Sequence, residues 1–250
     1  MQITVRGLNK WFAGSPLYHN FNLDIAKGKI TCIFGPNGCG KSTLLNIVAG
    51  LIPTDAGKIL FDDKPLRETR IGYVFQNYRE AMFPWLRAID NIKYPLKIAG
   101  LSKVQCEERV EELVNLFGVK IDLDRYPYEL SGGQQQLVSI MRALATHPRV
   151  LFLDEPFSAL DYETTLSIRE NLQEIFKASK VTMVMVSHDL EEAVYMADRI
   201  LLLTKRPTKV AEEIAFDAPR PRTTETLSNQ EFIKVKAHCL EVFQREVHRF

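Results

Sequence analysis

The nine residues Gly35-Pro36-Asn37-Gly38-Cys39-Gly40-Lys41-Ser42-Thr43 have the types and spacing of a loop built to hold phosphate. Three glycines let successive backbone N–H groups turn toward an anion, and the amides and dipole of a following helix add to the attraction. Lys41 is placed to reach the β and γ phosphates of a nucleotide, and the Ser42 hydroxyl to ligate Mg2+. Before the loop, Lys29 to Phe34 is a short, apolar, β-branched run; after it, Leu44 to Ala49 reads as helix, stopped by Gly50. Strand, glycine loop, helix is the context such a loop needs, and a chance glycine turn lacks it.

Two further groups carry chemistry. Asp154 and Glu155 follow the apolar run Val150 to Leu153. An aspartate at the carboxyl end of a buried strand can hold Mg2+ beside a phosphate loop, while the next carboxylate points elsewhere and can polarise a water. The segment Leu130-Ser131-Gly132-Gly133-Gln134 puts a hydroxyl and two glycines at a helix start. Taken alone it is either a plain helix cap or a second anion site without its own lysine.

Elements must exist to position these groups. Gln2 to Val5 and Phe21 to Ile25 alternate as half-exposed strands of an antiparallel layer, with Trp11 and Phe12 on a loop between them. That aromatic pair can stack on a base or pack within a hairpin. Lys58 to Phe61 and Arg70 to Phe75 read as strands, the second stopping at Gln76. From Asn77 to about Thr146 the pattern turns helical: Ser102 and Gln105 form a capping box, and Val110, Leu113, Val114 and Phe117 make one apolar stripe before Gly118. The acidic face of Glu107, Glu108, Glu111 and Glu112 is a solvated surface, and Leu137, Ile140, Met141 and Leu144 repeat the spacing on a second helix. Then Arg149 to Leu153, Val181 to Val186 and Ile200 to Leu203 are continuous apolar runs of a buried parallel sheet, separated by helices over Tyr162 to Ser179 and Leu190 to Ala197. This alternation is an α/β fold with phosphate chemistry at the carboxyl ends of its strands. The tail from Lys205 is proline-bearing and ends in an amphipathic helix with Ile233, Ala237, Leu240 and Val247 on one side.

Composition excludes several classes. A chain of 250 residues with a formal net charge of +1 gives no sign of a nucleic-acid partner. Basic residues are scattered, and Arg220 and Arg222 read as solvated surface. Cys32, Cys39, Cys106 and Cys239 have no metal-ligand or redox spacing and suit a reducing compartment. Neither a signal peptide nor a membrane span is expected, so a membrane role must come through a partner. Cys39 lies inside the phosphate loop, where its thiol either sits close to bound nucleotide or merely fits as a small residue.

From about Gln2 to Ile214 the sequence resembles the ATPase subunits of ABC transporters, because separate motifs follow in that family's order. Gly35 to Thr43 looks like the Walker A loop, Gln76 the Q-loop glutamine, Leu130 to Gln134 the signature and Val150 to Glu155 the Walker B strand. Ser158-Ala159-Leu160-Asp161 is similar to the D-loop and His188 to the switch histidine; Phe12 resembles the adenine-stacking aromatic, with Trp11 as the alternative. The resemblance implies a P-loop ATPase core over residues 1–214, with an antiparallel β subdomain, a helical subdomain at about 77–146 and a C-terminal extension over 215–250. It implies ATP and Mg2+ as cofactors, with Ser42, Gln76 and Asp154 at the metal and Glu155 as catalytic base. It also implies a head-to-tail homodimer in which Ser131, Gly132, Gly133 and Gln134 meet the nucleotide held by the partner's loop.

Phe83-Pro84-Trp85-Leu86, Asp90-Asn91-Ile92 and the tail Ala218-Pro219-Arg220-Pro221-Arg222 are similar to importers of the nitrate, sulfonate and taurine group. The signature departs from the usual pattern in Gln135-Gln136-Leu137-Val138-Ser139, which bears on subunit packing more than on chemistry. The implied setting is the cytoplasmic face of the inner membrane, beside permease subunits and, through them, a substrate-binding protein. An exporter or lipid-extraction ATPase, a soluble ATPase acting on ribosome or DNA, and a small-molecule kinase are the other readings.

Overall fold

The structure, a computed structural model, describes residues 1–118, 121–158, 160–179 and 181–248. In chain order the elements are β1 (Ile3–Phe12), β2 (Ser15–Ile25), β3 (Ile30–Phe34), α1 (Lys41–Val48), β4 (Ala56–Phe61), β5 (Ile71–Val74), α2 (Tyr78–Ala81), α3 (Ala88–Ile98), α4 (Lys103–Phe117) and α5 (Gly132–Leu144). They continue with β6 (Val150–Asp154), α6 (Tyr162–Ser179), β7 (Thr182–Val186), α7 (Leu190–Met196), β8 (Arg199–Leu203), β9 (Val210–Ala215), α8 (Thr224–Leu227) and α9 (Gln230–His248).

A six-stranded sheet runs β5-β6-β7-β3-β8-β9, parallel except for β9. Its β3, β6 and β7 are buried along their whole length, as runs apolar on both faces require. A second, three-stranded antiparallel sheet has the order β2-β1-β4. One apolar cluster joins that sheet to α1 and one face of the large sheet, through residues such as Ile3, Phe61, Leu44 and Phe152. The other covers the opposite face with α3, α4, α5, α6, α7 and α9. The strand order brings the carboxyl ends of β3, β6 and β7 side by side, where the loops after them converge.

In the helical segment the capping box of Ser102 and Gln105 forms as expected, Gly118 closes α4 at φ 59°, and Val110, Leu113 and Phe117 are buried. The helix α5 starts at Gly132, inside the glycine pair, with Ser131 as its N-cap. Its other end stands on the sheet: a Cβ at Gly72 of β5 would lie 2.3 Å from the Ala143 carbonyl oxygen, so only glycine lets the helix approach this closely.

Four expectations need correction. Trp11 and Phe12 are not on a loop; β1 continues through them into a hairpin that turns at Ala13 and Gly14, both at positive φ. The tail contains β9 and α8, which the prolines obscured, since an edge strand tolerates neighbouring proline. The last helix buries Phe232, Cys239 and Val242 and exposes Ile233, Ala237 and Leu240, so the apolar side read from the sequence is not the one that packs. Its apolar residues form two stripes, and only contact with Phe34 and Phe216 decides between them.

Arg220 and Arg222 are not on the surface either. The fully buried Arg222 guanidinium donates to the carbonyls of Val194, Tyr195, Ala197 and Phe216 and lies 3.4 Å from Asp198, while Arg220 pairs with the same aspartate at 2.8 Å. Burial pulls the Arg222 pKa down to about 10, which leaves it charged at neutral pH. Four backbone acceptors and one carboxylate are what make an interior cation tolerable.

Candidate active site

The phosphate loop leaves β3 at Gly35 and enters α1 at Lys41, with Gly38 at φ 75° and Gly40 at φ 104°. These left-handed positions are why glycine recurs in the loop. Asn37 and Gly38 stand exposed at its tip, while Pro36 is buried and Thr43 half-buried on the first turn of the helix. The Lys41 ammonium is buried and donates to the carbonyls of Gly35 at 2.8 Å and Pro36 at 3.2 Å, which holds the cation across the mouth of the loop. Cys39 is 1% exposed and belongs to the apolar cluster beneath the loop; burial pushes its thiol pKa up. The small-residue reading of Cys39 therefore stands, and its thiol is not turned to the outer surface of the loop.

At the end of β6 the Ser42 hydroxyl donates to Asp154 Oδ1 at 2.8 Å. Asp154 is 5% exposed, and burial raises its pKa, opposed by the bond from Ser42. A buried carboxylate that is short of positive partners and paired with one hydroxyl fits a small, hard cation. Among the described residues no group of three or more His, Cys, Asp or Glu side chains could cage a metal. Mg2+ matches such a sparse set, because it keeps waters and takes phosphate oxygens for its remaining positions. Tyr73 of β5 flanks the pair, donating to Asn46 Oδ1 at 2.7 Å; burial and then the Asp154 charge raise its own pKa.

Glu155 has φ 45°, a left-handed conformation that turns its side chain away from the direction of Asp154. Its N–H donates to the Val186 carbonyl of β7 at 3.0 Å, and the Ser158 hydroxyl donates to its carbonyl at 2.9 Å. One carboxylate oxygen, Oε2, accepts from Gln76 Nε2 at 3.0 Å and lies 3.0 Å from His188 Nδ1. Gln76 comes from the loop after β5 and His188 from the loop after β7. Residues 112 positions apart in the chain thus meet on one oxygen.

Other expected residues lie apart from this cluster. Ser131 accepts from the Gln134 N–H and donates its own N–H to Gln134 Oε1, so within this chain both cap α5. A Cβ on Gly132 would lie 2.9 Å from the Tyr78 hydroxyl, the movable end of a side chain, and one on Gly133 would lie 2.4 Å from Thr164 Cγ2, so the tighter approach is that of Gly133 to α6. Asp161 accepts from the N–H and hydroxyl of Thr164, which lowers its pKa and caps α6. Of the segment Ser158 to Asp161, Ala159 lies outside the described residues. Trp11 and Phe12 are 40% and 43% exposed at the hairpin end of β1, with Lys10 Nζ 5.4 Å from the Phe12 ring centroid.

Sequence reasoning missed Tyr18, Arg206 and Thr208, which touch the loop from outside. Tyr18 reads as an ordinary strand residue, and the other two fall in the proline-bearing tail, so periodicity gives no signal for them.

Residues 18–158 match the family model described as ABC transporter. The chain is 36% identical over 251 residues to the aliphatic sulfonates import ATP-binding protein SsuB of Bacillus cereus, covering 98% of this chain and 97% of that protein. It is 37% identical over 254 residues to the taurine import ATP-binding protein TauB of Yersinia pseudotuberculosis, covering 98% and 99%. Among solved structures, the dimeric structure of MJ0796, described as a bacterial ABC transporter cassette, superposes with a TM-score of 0.77 at 30% identity, covering 87% of this chain and all of that one. A structure of the same cassette after hydrolysis, bound to ADP and Pi, gives 0.76.

Proposed function

This chain belongs to the ABC transporter family as an ATP-binding subunit with ATPase activity, and from that premise we propose that it energises an importer of small anionic solutes of the nitrate, sulfonate or taurine type. The observation that carries the chemistry is the meeting of Gln76 and His188 on Glu155 Oε2. Gln76 and His188 hold the carboxylate in one orientation, so that Glu155 can take the proton of an attacking water while Asp154 is committed to Ser42. Lys41 and the amides of Gly35 to Thr43 bind and orient the phosphates. Mg2+, held by Ser42 and Asp154 with Gln76 nearby, supplies charge neutralisation at the phosphate oxygens when bound. Phe12, or its neighbour Trp11, offers an exposed aromatic face to the base.

Ser131, Gly132, Gly133, Gln134 and Asp161 serve the nucleotide held by a second copy, in a head-to-tail dimer that closes on ATP. The similarity to the cassette MJ0796, solved as a dimer, supports that reading. The sulfonate carried by the substrates after which two near-full-length relatives are named supports the solute class.

Contact with a permease is supported by an apolar groove between β5 and α3, lined by Phe75, Phe83, Tyr94 and Ile98. It lies next to Gln76 in sequence, and Trp85, 71% exposed, lies against Phe83 at its edge with the rings tilted by 40°. No helix among the described residues is long and apolar enough to cross a membrane. On this reading, supported by the importer names of the two relatives, the subunit works at the cytoplasmic face of the membrane through the permease, meets a substrate-binding protein only indirectly, and takes no nucleic-acid partner. Purification of the tagged chain from gently solubilised membranes tests this. Recovery of a multi-span permease with a solute-binding protein is expected. Recovery of ribosomal or DNA-repair proteins in its place would leave the ATPase standing and overturn the importer.

A further inference from the structure

Three successive carbonyls of the phosphate loop are bonded from its outer side. Arg206 Nε donates to the Gly38 carbonyl at 2.7 Å, the Thr208 hydroxyl to the Cys39 carbonyl at 2.6 Å, and the Tyr18 hydroxyl to the Gly40 carbonyl at 2.8 Å. Tyr18 and Thr208 are fully buried and Arg206 is exposed. These donors belong to two segments far apart in the chain, β2 and the connection between β8 and β9. The segments are tied to each other, since the Thr208 N–H donates to the Leu17 carbonyl at 2.8 Å and Tyr18 and Thr208 form an isolated parallel bridge.

A trans peptide unit is planar, with its N–H opposite its C=O. Fixing the carbonyls of residues 38, 39 and 40 therefore fixes the direction of the next N–H groups: that of Cys39, which donates to the Pro36 carbonyl at 3.3 Å and closes the turn, and those of Gly40 and Lys41. Gly40 has no room for a Cβ, which would come within 2.7 Å of the Tyr18 hydroxyl, so the close approach of that donor is built into the loop. A loop with φ of 75° and 104° at its glycines has many alternative conformations when unbound, and ordering it would be charged against ligand binding. Donors on its outside remove that cost beforehand.

We infer that Tyr18, Thr208 and Arg206 are positioning residues for the phosphate loop, an outer clamp that orders its amides and thereby sets the affinity for the diphosphate portion of the nucleotide. The inference rests on reading Gly35 to Thr43 as the loop that takes the phosphates. It separates the clamp from the catalytic cluster, because Glu155, Gln76 and His188 lie after other strands.

The test is calorimetric titration of the full chain with ATP and with ADP, together with steady-state hydrolysis. Arg206→Ala and Tyr18→Phe are each expected to raise Kd for both nucleotides by about three- to tenfold, the worth of one such hydrogen bond. KM should rise in step and kcat stay within about twofold, since the chemical step is served by other residues. Arg206→Lys, which keeps a charged donor, should recover most of the affinity. Thr208→Val removes a buried donor; should it fail to fold, the exposed Arg206 and the near-isosteric Tyr18→Phe still decide the matter. Unchanged affinity in both variants, a loss for ATP without one for ADP, or a fall in kcat at constant Kd would each overturn the clamp. Failure of the loop reading itself is distinguishable: Lys41→Ala would then hydrolyse ATP as the wild type does.

Discussion

At the scale of single residues, the site carries an energetic cost that can be measured. Asp154 is buried beside Ser42, and burial holds its pKa above the usual aspartate value. The folded chain therefore binds more protons at this position than the unfolded chain, so its contribution to stability falls as pH rises through the unfolded and then the folded value, and it remains unfavourable at neutral pH. Asp154→Asn, which keeps an acceptor for Ser42, is expected to raise the Tm of the protein free of nucleotide and Mg2+ at pH 7. Each kcal/mol relieved corresponds to about 2–4 °C at this chain length. The gap between variant and wild type should close below about pH 4, where both forms are neutral, and the variant should lose ATP hydrolysis. Thermal melts across that pH range check the sign. The acidic pair was legible from sequence because its chemistry follows from residue type at a strand end. Its expected division of labour was read there too; which residues meet Glu155 was not, since that depends on the left-handed φ of Glu155 and on two loops that meet only in three dimensions.

At the scale of elements, the strands of the buried sheet and the capped helices were readable because local pattern and tertiary demand agree there. The tail was not, because a cation in an apolar setting and a helix with two apolar stripes are both resolved by packing alone. Arg222→Ala would leave the carbonyls of Val194, Tyr195, Ala197 and Phe216 without their donor, a loss of about 3–5 kcal/mol and so of about 10 °C in Tm. On α9, Phe232→Ala should cost about 3–5 kcal/mol, while Ile233→Ser, one residue along at 52% exposure, should change stability by less than about 0.5 kcal/mol. Denaturant titration of the three variants checks both statements; equal losses for Phe232 and Ile233 would contradict the observed face of the helix.

At the scale of the whole molecule, the phosphate loop and the Ser131 helix start lie apart within one chain. Lys41 and Glu155 converge at the carboxyl ends of the sheet, while Ser131 caps a helix of the inserted segment. If two copies complete each other head to tail, Lys41→Ala and Ser131→Arg proteins, each inactive alone, should regain ATPase activity when mixed, since the mixed dimer has one site with both groups intact. No activity above the sum of the separate proteins would contradict completion in trans. The helix that Ser131 caps makes two close glycine contacts. Spanning about 20 Å at 1.5 Å per residue, α5 is footed on Gly72 at one end and on Thr164 through Gly133 at the other. Between these two close contacts α5 is buried through Leu137, Val138, Ile140 and Met141, so it is held to the core along its length as well as at its ends. A methyl added at Gly72 would push this end of α5 off the sheet while leaving Lys41, Glu155 and Ser131 unaltered in sequence.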